Sequence, residues 1–441
     1  MCCQQHGHVL TCTISHDCLR KSITIYVPPI IRCASWPKII TTLATKNLQK
    51  RKRRPMPEPR FLQIHTLHSY TASLLNRDDS GLAKRLPYGN AVRTRISSQC
   101  LKRHWRVDEG TFSLHRIEGA EEAVRSRDLV TKRLREPLEG KVAADILDAI
   151  EPAFQVAVYG KDAAKGKSNR QPLLFGAPEL RYLAEQFAQI ANSAGDAKSA
   201  KAAAEDFTKE KSFHETMKVM RESVSLPGGL TSALFGRMVT SDPEANIDAP
   251  VHVAHAFTTH AEQAESDYFA VVDDLAGVDD TGADHIGETE LTSGLFYGYV
   301  VIDVPALVSN LTGVAASNWL AADRDMAAEV AARLIGQIAT VSPGAKLGST
   351  APYGYATTML VEAGDRQPRS LAEAFRDPAK PTVEDAEEKL HKKLEAFDTA
   401  YQTGEDRRLL SLSNDPGIKE ISRTSLPELM QWVRDTILKA A

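Results

Sequence analysis

The sequence predicts an α+β fold, and three observations predict it. Strand-patterned segments lie far apart in the chain, with helical blocks inserted between them. The composition, 42% hydrophobic and 25% charged with only 6% aromatic, is that of a soluble globular chain and excludes disordered and collagen-like classes. The 441 residues suffice for two or three ordinary domains, or one large domain with insertions, and can bury a core without disulfides or a structural metal. No apolar run approaches the roughly 18 residues of a membrane span, and no repeat of about 20–50 residues marks a solenoid.

The first 55 residues stand apart. They hold ten Lys/Arg against one acidic residue, a balance of +9, so the rest of the chain carries −12. Global charge therefore gives no argument for nucleic-acid binding, and any such argument needs a local patch. Cys2, Cys3, Cys12, Cys18 and Cys33 lie here and only Cys100 lies beyond, which makes the body a reduced, cytosolic type of chain. The segment shows no sustained helical or strand period and lacks the order of a signal peptide. Cys2, Cys3, His6, His8, Cys12, His16 and Cys18 do not have the paired spacing of a structural zinc site. The run Lys50–Arg54 has the make-up of a localisation signal or an RNA-binding arm. The preferred reading of 1–55 is a non-native extension, translated upstream sequence, with initiation at Met56.

From Phe61 the pattern is legible. Phe61–His68 alternates as a strand. In Asn76–Arg106, Gly81, Pro87, Gly89 and Asn90 mark a long turn. Arg95–Arg103 then reads as a strand end entering a helix, with Ser97 or Ser98 as its N-cap. Helical spacing follows in Ala120–Arg135, Lys141–Ile150, Pro178–Ala194 and the Ala/Lys/Glu-rich Asp196–Met220, interrupted by a loop at Gly160–Pro172. Strand pattern returns at Leu234–Thr240 and at Gly294–Val304. In the latter, Leu295, Tyr297 and Tyr299 take one face and Phe296, Val300 and Ile302 the other. Met326–Ala339 reads as a helix, Pro343–Gly348 as a loop and Thr357–Glu362 as a strand. Ser370–Phe375, Val383–Tyr401 and Leu426–Leu438 close the chain as helices.

The functional signal is Asn76–Arg106, where eight Lys/Arg face only Asp78 and Asp79, a local +6 in 31 residues. Amides and hydroxyls at a helix N-terminus receive phosphate oxygens. Lys102, Arg103 and Arg106 bring charge to the next turns, and Lys102 and Arg106, four apart, share a face. No Lys follows a GxxxxG loop, so a polyanion with repeated phosphates fits better than a nucleoside triphosphate. Lys198, Lys201, Lys209, Lys211 and Lys218 have acidic neighbours and read as a solvated helix face.

No catalytic set is evident. His252, His255, His260, Asp267, Asp273, Asp274, Asp284 and His285 include metal-ligand types, but their spacing matches neither HExxH nor a His-Asp dyad. GxSxG, CxxC and GxGxxG sites are missing as well. The sequence implies no cofactor and no metal.

Eight motifs in order carry a resemblance: Phe61–His65, Asn76–Asp79, Arg95–Arg103, Gly236–Ser241, Ala254–His260, Tyr268–Asp274, Ser293–Tyr297 and Pro343–Lys346. From about Phe61 to the C-terminus the chain resembles the backbone subunit of type I-E CRISPR surveillance complexes, the CasC family of Cascade. Residues 1–55 have no counterpart in it. The resemblance implies an RRM-like (ferredoxin-like) palm in three parts, 56–118, 226–265 and 296–441, the last with C-terminal helices. A helical finger domain would span 119–225 and a β-hairpin thumb 266–295. It further implies a cytoplasmic, non-catalytic scaffold of antiviral defence that binds CRISPR RNA. About six copies stack head to tail along the spacer beside other Cascade subunits, and target DNA is met through the guide. In the family the thumb displaces about every sixth nucleotide, leaving short segments free to pair, so the protein grips backbone without regard to sequence.

Carried over residue by residue, Arg77, Lys84, Arg95, Ser97, Ser98, Gln99, Lys102, Arg103 and Arg106 fall on the guide-RNA strip. Met238 falls at the kink and Phe269 where the thumb meets the displaced nucleotide. Tyr268 replaces a larger aromatic residue of the family, and the segment between Thr240 and Val251 is shorter and contains proline. The aromatic motifs of ordinary RRM proteins are missing, so stacking on sheet aromatics is not implied. Backbone subunits of type III complexes cut RNA with a loop aspartate. The alternative is therefore a metal-dependent RNase with Asp78 or Asp79 as its acid, and a generic RNA-binding regulator is a third reading.

Overall fold

A computed structural model describes residues 2–6, 9–13, 22–26, 59–239, 241–271, 285–414 and 421–440. The chain divides into two compact units, Met1–Met56 and Pro57–Ala441. In the first, β1 (Cys2–His6), β2 (Val9–Thr13) and β3 (Ser22–Tyr26) form an antiparallel sheet in that order. Strands of five residues are too short to register as a sustained period, which is why the sequence showed none. His8, His16, Cys18, Cys33 and Lys50–Arg54 lie outside the described residues, as do Thr240, Asp273, Asp274 and Asp284.

The second unit is built on one large mixed sheet. Its central ladder pairs β4 (Phe61–Ser73) with a 19-residue strand, β12 (His285–Asp303). The others are β5 (Arg85–Tyr88), β6 (Ala91–Ile96), β9 (Val251–Val253), β10 (Ala256–Thr258), β11 (Ala264–Val271), β13 (Ala356–Gly364), β14 (Asp406–Ser411) and β15 (Ser422–Arg423). The order is β15-β14-β13-β4-β12-β10-β6-β5, with β9 and β11 also paired to β12. Neighbours run antiparallel except β14 and β15. A separate pair, β7 (Ala123–Ser126) and β8 (Leu173–Gly176), stands at the edge of the helical segment.

The helices are α1 (Ser98–Val107), α2 (Ala144–Tyr159), α3 (Ala177–Ser193), α4 (Ala197–Phe207), α5 (Glu210–Ser223), α6 (Gly229–Phe235), α7 (Val304–Thr312), α8 (Asp325–Thr340), α9 (Leu347–Thr350), α10 (Val383–Tyr401) and α11 (Leu426–Leu438). Alternation along β4 and β12 divides the side chains between two faces. Leu62, Ile64, Val300 and Ile302 pack with Leu334, Ile335 and Val433 of α8 and α11. Leu67, Leu295 and Tyr297 pack with Leu390 and Leu394 of α10. The two expected faces of Gly294–Val304 are thus the observed ones. A distinct cluster around Phe154, Phe187, Phe213 and Met217 holds the helical segment together. Buried His65 meets Tyr297 Oη at 2.9 Å and Glu362 at 3.1 Å, while Arg369 and Arg407 close on the same carboxylate.

Several expectations need correction. Ala120–Arg135 opens as β7 and then turns through a π-helical stretch at Val130–Arg135. Asp196–Met220 is two helices, broken at Thr208 and Lys209. In the expected strand Leu234–Thr240, the described residues Leu234–Val239 are not a strand. Leu230, Ala233 and Leu234 recur at helical spacing and are buried, so α6 runs to Phe235; the following stretch keeps only a bridge from Arg237 to Ile247. Ser370–Phe375 shortens to a 3₁₀ turn at Ala372–Phe375, and the long turn in Asn76–Arg106 contains the β5–β6 hairpin.

Candidate nucleic-acid interface

Helix α1 starts where β6 leaves the sheet. Ser97 is its N-cap, and the Ser97 hydroxyl oxygen accepts the Cys100 amide at 3.3 Å. The amides of Ser98 and Gln99 precede the first intrahelical bond and remain available to an anion. Gln99 and Arg103 are exposed, Ser98, Lys102 and Arg106 half-buried, and Ser97 buried. Asn76 joins the preceding loop to this end: its side-chain oxygen accepts the Ser97 amide at 2.9 Å and its carbonyl accepts the Lys84 amide at 2.9 Å. Arg77 bridges to Ala83 across the loop. Asp78 is spent within it, one oxygen accepting the Ser80 amide at 2.9 Å and the Leu82 amide at 3.0 Å.

The cations divide into two sets. Among the described residues, Arg77, Lys84, Arg95, Lys102, Arg103 and Arg106 have no carboxylate partner, whereas Arg85 is held by Glu262 and Glu290. Arg93, fully buried, donates to the carbonyls of Tyr88, Thr258 and Phe375 and belongs to the core. Arg95 donates to the Arg85 carbonyl at 3.1 Å and contacts His255 Nδ1 at 3.1 Å. Burial and then the neighbouring Arg95 and Lys84 hold His255 below its ordinary range. Burial lowers Arg106 as well, followed by the charges of Arg125 and Arg103, and burial alone lowers Lys102. Like charges crowd together here without internal neutralisation, which leaves a positive potential for a polyanion.

The other expected site residues come from distant segments. Lys102 Nζ lies 5.7 Å from the Phe235 ring centroid, so the turn bearing Met238 begins beside α1; Met238 is 77% exposed. Phe269 sits on β11 opposite Gly287 of β12. A Cβ on Gly287 would lie 2.2 Å from Phe269 Cζ, so the ring occupies space only glycine leaves open. Lys346 Nζ lies 5.8 Å from the same ring and donates to Thr289 Oγ1 at 2.6 Å. Sequence reasoning left Lys346 in a plain loop; its position after Pro343-Gly-Ala was the available signal.

Among the described residues the histidines have local partners. His252 contacts the Ala249 carbonyl and His260 the Ala261 carbonyl, and among the described residues no three His, Cys, Asp or Glu side chains group as ligands. Lys201, Lys209 and Lys218 pair with Glu205, Asp206 and Glu244, consistent with a solvated face. Among the described residues no helix is long and apolar enough to cross a membrane.

A chain of a CRISPR RNA-guided surveillance complex, pre-nicking, superposes with a TM-score of 0.66 at 25% identity. The match covers 86% of this chain and 100% of that one. A chain of a second CRISPR RNA-guided surveillance complex gives a TM-score of 0.50 at 20% identity over 85% and 98% of the two chains, a likeness of fold. No curated protein matches the sequence. The large mixed α+β sheet therefore matches that of the surveillance-complex chain. The model of the CT1975-like protein family matches residues 62–434, and the chain belongs to that family, the type I-E backbone subunits the ordered motifs resemble.

Proposed function

We propose that this backbone subunit of a type I-E surveillance complex is a non-catalytic scaffold that grips the CRISPR RNA by its phosphates. The large sheet serves as the RRM-like palm, the helical segment 119–225 as the finger domain and the β11–β12 hairpin as the thumb. The observation that carries the reading is the strip of six cations that, among the described residues, have no carboxylate partner, set beside the open amides at the start of α1. Arg77, Lys84, Arg95, Ser98, Gln99, Lys102, Arg103 and Arg106 contact the guide backbone. Ser97 shapes the helix end, and Met238 and Phe269 flank the displaced nucleotide. Apolar and aromatic surfaces suit this place because every base offers a face to them. About six copies assemble head to tail on the spacer in the cytoplasm, with other Cascade subunits closing the ends and target DNA read by pairing.

Native mass spectrometry of the protein on guides of graded spacer length tests this. The number of bound copies should grow in steps with RNA length, and a single copy at every length would overturn the scaffold. Periodic cleavage of complementary RNA in Mg²⁺, lost on Asp78→Ala or Asp79→Ala, would overturn its non-catalytic character.

A further inference from the structure

Two carboxylates lie close to a strip that has to attract phosphate. Glu262 precedes β11, and its amide donates to the Val92 carbonyl at 2.9 Å. Glu290 lies on β12, opposite Ser266 in the hairpin. Both reach back to one side chain on β5: Arg85 Nε donates to Glu262, Nη2 donates to Glu290, and Nη1 donates to the Ala83 carbonyl at 3.2 Å. The second oxygen of Glu290 accepts the Ala83 amide at 2.6 Å. Ala83 is the bridge partner of Arg77, and the next residue is Lys84.

We propose that Glu262, Arg85 and Glu290 form a clamp that fixes the hairpin relative to the loop carrying Arg77 and Lys84, with Arg85 a positioning residue rather than a phosphate contact. The claim rests on the guide-RNA reading above and adds a mechanical coupling to it. Unpaired, two carboxylates at this place would repel the guide; sharing one guanidinium, with the Ala83 amide on the second oxygen of Glu290, they become the fastening. The side chains of Arg85, Glu262 and Glu290 are 31%, 18% and 11% exposed, partly withdrawn from water, where such a three-point contact is directional. The hairpin that displaces a nucleotide and the loop that holds the neighbouring phosphates then move as one piece, and their separation along the RNA is set by the protein.

The test uses reconstituted complex on a guide with 2-aminopurine placed singly at displaced and at paired positions, together with the salt dependence of guide binding. In Glu290→Gln the bright emission of the displaced positions is lost while guide affinity keeps the wild-type salt slope. Arg85→Gln, made together with Glu262→Gln and Glu290→Gln so that no bare carboxylate faces the guide, loses the emission with the slope of the Glu262→Gln/Glu290→Gln pair; in the otherwise native chain Arg85→Lys keeps part of the emission, and Glu262→Gln, which spares the Ala83 bond, gives a smaller loss. A slope flattened by about 0.7 in the triple variant relative to that pair, the mark of one lost single-strand phosphate contact, would overturn the assignment. Unchanged emission in Glu290→Gln and in the triple variant would overturn it too. A wild-type pattern with no periodic emission would overturn the scaffold reading itself, and the clamp's role with it.

Discussion

The side-chain oxygen of Asn76 accepts the Ser97 amide at 2.9 Å, so a basic loop and a helix N-terminus 21 residues apart are set by one bond. Asn76 also takes the Lys84 amide on its carbonyl, which places a loop cation next to the helix end. On the proposed guide-binding role, phosphates at the Ser98 and Gln99 amides would meet charge from both sides of the junction. Reversing Lys102 and Arg106 together to Glu should weaken guide binding strongly. It should flatten the salt dependence by about 1.4, two single-strand phosphate contacts at about 0.7 each, in a titration between roughly 50 and 200 mM salt. Unchanged affinity would remove these residues from the interface.

Phe269 and Gly287 make a second pair with a measurable consequence. Gly287→Ala puts a methyl against the outer end of the exposed Phe269 ring, which must swing aside, and should destabilise the chain by about 0.5–1 kcal/mol in chemical denaturation. Adding Phe269→Ala should recover most of that loss in a double-mutant cycle. Alone, Phe269→Ala should impair target-DNA binding by the assembled complex more than guide retention, and equal losses would tell against a thumb role.

Stability should fall with acid below neutrality. Burial pushes His68 down to about 4, so between its ordinary 6.5 and that value the unfolded chain binds a proton that the folded chain refuses. The contribution is complete above about pH 6.5 and lost progressively as pH falls to about 4, at most about 3 kcal/mol. His65, lowered first by burial against the pull of Glu362, adds in the same direction. Glu362 itself stays charged throughout: burial favours its neutral form, but the bonds from His65 and Arg369 hold it well below the usual carboxylate range. Urea midpoints measured from pH 7 to 4 should fall, and His68→Gln should flatten the curve. A flat wild-type curve would contradict it.

Legibility followed length and sequence distance. Helices α8, α10 and α11 and the core of β4 and β12 were readable because their periods persist over many residues. The three-residue strands β9 and β10 have no period to read, and the charged β14 carries too few apolar residues to read as a strand. Leu234–Val239 resembled a strand because its apolar residues finish one element and begin another. Within the strip, cation density marked the candidate site, and Ser97 took the capping place expected of it. Composition could not separate Arg85 and Arg93 from their neighbours, since Glu262, Glu290, Thr258 and Phe375, which hold them, lie 165 to 282 residues away.

Strand β12 enters the hairpin at one end and the middle of the sheet at the other, without a break into loop. At about 3.3 Å per residue it is a beam roughly 60 Å long. Its inner half is rooted between β4 and the short strands β9 and β10. A load on the free end is therefore carried by the cross-strand pairing of that inner half, and the register shift between Thr292 and Gly294 is the place where the strand can bend. On the proposed thumb role, a nucleotide pressed aside by such a cantilever would stay aside, and the spacing it imposed would be set by the sheet that anchors it.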